Sequence, residues 1–120
     1  MENASGARFV SLDDLFDELL ASRRIGTRLT FVKLDVDGYE LPVLRGAKTM
    51  LTRYKPAIVL EIAPHVQDEV PQRFEELIET MRSYGYRLEE SSGRPLPLSA
   101  SALRRVVKDG GSIDAVALPN

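Results

Sequence analysis

The passage Phe31-Val32-Lys33-Leu34-Asp35-Val36-Asp37-Gly38-Tyr39-Glu40 constrains this chain more than any other. An apolar run passes into acidic residues and a glycine, and a helical pattern follows. That order marks a strand-to-helix corner of an open α/β sheet. Such sheets bind ligands beyond the carboxyl ends of their strands. Asp35, Asp37 and Glu40 fall there.

The surrounding pattern fills in the elements. Ser11-Leu12-Asp13-Asp14 reads as a helix N-cap with an acid three residues on. Leu12, Leu15, Phe16, Leu19 and Leu20 then recur at helical spacing, which predicts an amphipathic helix of about three turns. Asp13 and Asp14 suit its positive end, Arg23 and Arg24 its negative end, and Gly26 ends it or follows it. Residues 29–36 form the first strand. Thr30, Val32, Leu34 and Val36 make one face, wholly apolar apart from the threonine hydroxyl. Leu29, Phe31, Lys33 and Asp35 make the other, apolar for half its length, so both faces are expected to be covered. Lys33 would snorkel to an edge or a carboxylate.

The second helix starts between Asp37 and Leu41, because Pro42 fits only a first turn. Leu41, Leu44, Ala47, Leu51 and Tyr54 are its inner stripe. Gly46 sits in its middle, and Lys55-Pro56 stops it. Residues 57–62 are a second strand, parallel to the first. Pro71 opens a third helix with Phe74, Leu77, Ile78 and Met81 inward, ended by Tyr84-Gly85. Residues 86–90 are a third strand and 91–98 a loop. Ser99 or Ser101 caps a short helix carrying Leu103, Val106 and Val107. Gly110-Gly111 turns the chain into a last strand at 113–118.

Composition narrows the function classes. The 120 residues make one domain, 1–120, with 1–10 expected to be loose. A net charge of −2, with no basic stripe interleaved with aromatics, implies no nucleic-acid partner. There is no cysteine, which excludes thiolate catalysis and Cys-ligated zinc. Met1 is followed by Glu2, Asn3 and Ser5, not by a basic region and an apolar core, so no secretory leader is expected. No apolar run approaches the ~20 residues of a membrane span. The expectation is a soluble, cytoplasmic protein with no membrane partner.

The elements give half of a doubly wound sheet. No G-x-G-x-x-G loop follows a strand, the feature that cradles a nucleotide or its relatives. Gly110-Gly111 follows a helix instead.

Four stretches carry a family resemblance. They are Ser11 to Leu15, Val32 to Leu41, Val43-Leu44-Arg45-Gly46-Ala47, and Pro56-Ala57-Ile58-Val59-Leu60-Glu61-Ile62. In order and spacing they resemble the FkbM family of S-adenosylmethionine-dependent methyltransferases, specifically over residues 9–64. Asp37 stands where that family most often has glutamate. The resemblance implies a class I methyltransferase, Rossmann-like three-layer α/β fold, here in truncated form. Its sheet would have four mostly parallel strands. The last strand would run antiparallel, inserted between those at 57–62 and 86–90. It implies S-adenosylmethionine as cofactor, but the half of the family fold that binds it would lie upstream of residue 1. The complete form would transfer a methyl group to a hydroxyl of a small molecule or glycan. This chain alone is expected to be inactive; the alternative is a non-catalytic truncated descendant serving as a dimerising binding or assembly module.

The candidate site is the acidic corner. Asp35, Asp37 and His65 are the candidate catalytic residues, a carboxylate or the imidazole taking a hydroxyl proton. Lys33, Glu40 and Glu61 would shape the corner toward a substrate. A second reading holds Mg²⁺ between Asp35, Asp37 and Glu61, all hard oxygen ligands, although no metal motif is present. A purely architectural reading has Asp37 cap the helix, Glu40 favour its positive end, Asp35 and Glu61 pair with Lys33 or Arg45, and His65 lie in a surface loop. Finally, a strand at 29–36 lying at the sheet edge would expose backbone donors and acceptors. The expected partner there is a second copy in a homodimer, or a complementing chain.

Overall fold

The computed structural model describes residues 10–22, 29 and 31–120. The expectations for residues 1–9, Arg23, Arg24, Gly26 and Thr30 lie outside them. The element order is α1 (Leu12–Ala21), β1 (Phe31–Leu34), α2 (Glu40–Arg45), α3 (Lys48–Tyr54), β2 (Ala57–Ile62), α4 (Pro64–Gln67), α5 (Arg73–Ser83), β3 (Tyr86–Glu90), β4 (Pro95–Leu96), α6 (Ala100–Val106) and β5 (Ile113–Pro119). The sheet order is β1-β2-β5-β3-β4. β1 and β2 are parallel, with Lys33 opposite Val59. β5 is inserted antiparallel between β2 and β3, as the resemblance implied.

Several expectations are corrected. The sheet has five strands, not four: the expected loop at 91–98 contains β4, a two-residue strand antiparallel to β3. The turn that returns it is closed by Glu90 N–H donating to Arg94 O at 2.7 Å and Gly93 N–H to Glu90 O at 2.8 Å. Pairing lets Leu96 bury itself against the core. The first strand is shorter than 29–36, because its pairing ends at Leu34↔Leu60. Pro71 is exposed and precedes α5, which starts at Arg73 after Gln72 in the left-handed region, φ 63°.

The helix expected from 37–41 to Tyr54 is two helices, α2 and α3, broken at Gly46-Ala47. The cause lies in α1. Ser11 Oγ accepts the Asp14 N–H and caps α1. Asp13 instead reaches across. Its N–H donates to Gly46 O at 2.9 Å, and its carboxylate accepts the N–H groups of Thr49 at 2.9 Å and Met50 at 2.7 Å. One carboxylate thus satisfies two orphan donors in the first turn of α3. A methyl at Gly46 would sit 3.2 Å from Ser11 Cβ, so glycine lets α1 dock on the break. Phe16 of α1 then packs on Tyr54 of α3, ring centroids 5.1 Å apart.

One core lies between the sheet and its helices. Leu34 of β1, Ile58, Leu60 and Ile62 of β2, Ala115 and Ala117 of β5, and Tyr86 and Leu88 of β3 meet Leu44, Leu51, Phe74, Leu77 and Met81 there. The alternate side chains, Phe31, Lys33 and Asp35, Val59 and Glu61, Asp114 and Val116, belong to none of this core. Phe31 is 56% exposed. Among the described residues the sheet therefore carries one buried face and one open face, where three layers were expected. Lys33 and Asp35 were the visible sign of that open face.

Tyr86 ties the layers together. Its buried hydroxyl donates to Pro56 O at 2.7 Å, and burial pushes the phenol up to about 12. Unfolded tyrosine ionises near pH 10. The stability from the buried neutral phenol is full below pH ~10 and is lost as pH rises through about 12. Tyr86→Phe is expected to cost about 1 kcal/mol at neutral pH. It should also flatten the alkaline decline, read from urea midpoints across that range. A decline as steep in the variant as in the parent would disprove the assignment.

Candidate functional site

The corner after β1 is built by a tight turn. Tyr39 N–H donates to Val36 O at 3.1 Å, and the two residues between have positive φ, 48° at Asp37 and 100° at Gly38. That is the pattern of a type I′ turn, which Asp-Gly suits. A methyl at Gly38 would meet Val66 Cγ1 at 3.2 Å and Arg73 Nη2 at 3.3 Å. The turn thus packs against the segment after β2. Asp37 is exposed at the bend and does not cap α2, whose N-cap is Tyr39 without a side-chain bond.

Glu40 also departs from expectation. It is 6% exposed and lies inside the molecule, where its Oε2 accepts the Gln67 amide at 3.0 Å. Gln67 is itself 3% exposed. Arg73 donates to Val66 O at 2.8 Å. Gln67 Oε1 and Arg73 Nε are buried without a hydrogen-bond partner. These residues brace the corner from beneath.

Lys33, Asp35 and Glu61 do converge. With Asp114 they line a cleft of about 190 Å³ on the open face, over the carboxyl ends of β1 and β2. Asp114 enters because β5 runs antiparallel and pairs Asp114 with Glu61. Like charges directly opposite repel; the cleft is therefore an acidic pocket with one lysine, suited to hydrogen-bonding hydroxyls or attracting a cation. Arg45 takes no part: it pairs with Glu76 at 2.9 Å. Among the described residues, no ion pair joins Lys33 to Asp35 or Glu61. No group of three or more acidic, histidine or cysteine side chains there could hold a metal ion. The Asp35–Asp37–Glu61 magnesium arrangement is not formed.

His65 belongs elsewhere. It is the second residue of α4 and lines a separate cleft of about 150 Å³ with Asp68, Arg104 and Lys108. Arg104 grips Asp68 with two bonds of 2.6 and 2.7 Å and reaches Glu75 at 2.8 Å. Its guanidinium lies 4.9 Å from the Phe74 ring centroid. The Arg104 hydrogen bond holds the Asp68 carboxyl below its usual range. This is an ion-pair knot joining α4, α5 and α6, and His65 stands outside the corner.

Among the described residues, no helix is long and apolar enough to cross a membrane. A family model described as the methyltransferase FkbM domain matches residues 9–88. No curated protein and no solved structure matches the chain.

Proposed function

The chain belongs to the methyltransferase FkbM domain family, and from that premise we propose that it carries the acceptor side of a methyl-transfer site. The observation that carries this reading is the open-face cleft of Lys33, Asp35 and Glu61, joined by Asp114. It sits where open α/β sheets bind ligands. An acceptor hydroxyl placed there donates to the Asp35 carboxylate, which can take its proton as the oxygen becomes a nucleophile. Glu61 accepts a second hydroxyl. Lys33 offsets the negative charge that collects around the acceptor oxygen. Asp37, at the exposed bend, is not among the residues that line this cleft.

Family membership suggests S-adenosylmethionine as the methyl donor. The residues described do not make a cradle for it. The acidic cleft, about 190 Å³, is smaller than the ~300 Å³ at the low end of ligand pockets. A larger groove of about 480 Å³ along β1 is lined by Val10, Leu12, Val32 and Val43; among the described residues Lys33 is its one charged side chain, and none of them offers a carboxylate to the ribose hydroxyls there. No Gly-rich strand-to-helix loop supplies phosphate-type N–H donors. This chain alone is therefore expected to bind neither S-adenosylmethionine nor S-adenosylhomocysteine.

Two measurements test the reading. Neither cofactor, at millimolar concentration, should move the melting temperature. Saturation at 100 times a dissociation constant would add ~2.7 kcal/mol and shift it by many degrees, which would overturn the donor half of the proposal. For the acceptor half, a panel of glycosides and polyols should perturb the amide resonances around Lys33, Asp35, Glu61 and Asp114. Asp35→Asn should abolish the response. Perturbations confined to other surfaces, or none across the panel, would remove the cleft from consideration.

A further inference from the structure

Among the described residues, β1 pairs with β2 on one side only, and its other edge ends the sheet. Along that edge run Val32, Lys33, Leu34, Asp35 and Val36. The alternation of exposed and inward side chains continues past the strand through Asp35 and Val36. A free edge presents outward N–H and C=O groups that another strand can pair.

The charge order makes this edge complementary to itself. Lys33 and Asp35 flank Leu34 on the open face. Consider a two-fold axis perpendicular to the sheet and passing midway between Leu34 of one copy and Leu34 of the other. It sets Lys33 of each copy opposite Asp35 of the other, Val32 opposite Val36, and Leu34 opposite itself. Both helix layers then lie on the same side. Sliding the pairing by one allowed step puts Lys33 against Lys33 or Asp35 against Asp35, and like charges directly opposite are destabilising. One register thus joins two attractive ion pairs to a matched apolar row, and its neighbours do not.

We propose that β1 pairs antiparallel with β1 of a second copy in this register, giving an isologous dimer with one continuous sheet. The apolar grooves beside β1, lined by Val32, Val36 and Val43, meet along the seam. Each acidic cleft also gains the other copy's Lys33 beside its own Asp35. The pairing stands on the edge and its charges, and does not depend on the methyl-transfer reading.

Light scattering after size exclusion at 50 µM (roughly the range where micromolar association is populated) should give twice the chain mass of 13.4 kDa. Lys33→Glu and Asp35→Lys should each weaken association by roughly tenfold to a hundredfold, since each converts two attractive pairs into repulsive ones. The double variant Lys33→Asp with Asp35→Lys should restore the dimer. Both side chains are exposed, so circular dichroism should report an unchanged fold in all three. A monomeric parent, single variants that dimerise as tightly as the parent, or a double variant that stays monomeric would each overturn the proposal.

Discussion

Asp13→Ala is expected to lower stability by about 3 kcal/mol and the melting temperature by roughly 8–12 °C. The carboxylate accepts two backbone N–H groups of α3, from Thr49 and Met50, and bonds to a charged acceptor are worth ~1.5–3 kcal/mol each. Its removal leaves both donors without a partner and frees α1 from the α2–α3 break. The Asp13 N–H bond to Gly46 O survives the substitution, which limits the loss. Asp13→Asn keeps one acceptor oxygen and should cost about half as much. Thermal denaturation followed by circular dichroism distinguishes this from the surface reading of Asp13 as a dipole partner of α1, worth only ~0.3–1 kcal/mol.

Glu40→Ala should cost about 2–4 kcal/mol, and Glu40→Gln under about 1 kcal/mol. Alanine leaves the buried Gln67 amide without its acceptor, beside a Gln67 Oε1 that already has none. Glutamine keeps an oxygen facing that amide at nearly the same volume. Urea unfolding of the two variants reads the difference directly. Equal losses would mean that the carboxylate charge, not the hydrogen bond, secures the corner.

How much of this was legible depended on distance along the chain. The strands at 57–62 and 86–90 are contiguous patterns, and the structure shows them with those bounds. The Ser11 cap is also local. Asp13 was read as local too, because its place in the first turn of α1 explains a carboxylate well enough. Its partners at Thr49 and Met50 are visible only once α1 is docked. Glu40 was read as a corner acid, or as one favouring the positive end of the helix, for the same reason: its buried partner Gln67 lies in α4, after β2. Asp114 could have been found from the sequence. The resemblance already inserted the last strand antiparallel beside 57–62, and counting register from there brings Asp114 against Glu61. His65 failed in the opposite way. Closeness to Glu61 in sequence suggested closeness to the corner, but α4 turns the chain away toward Asp68 and Arg104.

The two borders of the sheet are unequal. β4 is only two residues long, and Pro95 has no N–H to donate. Very short, proline-bearing borders are poor templates for further strands. Among the described residues, then, recruitment of another chain by backbone pairing has one usable flank. An assembly that grows from one flank is finished after a single event: it has no second growing end, so chain cannot add to chain into a filament. If β1 pairs as proposed, the short β4 would act as a terminator and hold the assembly to discrete complexes.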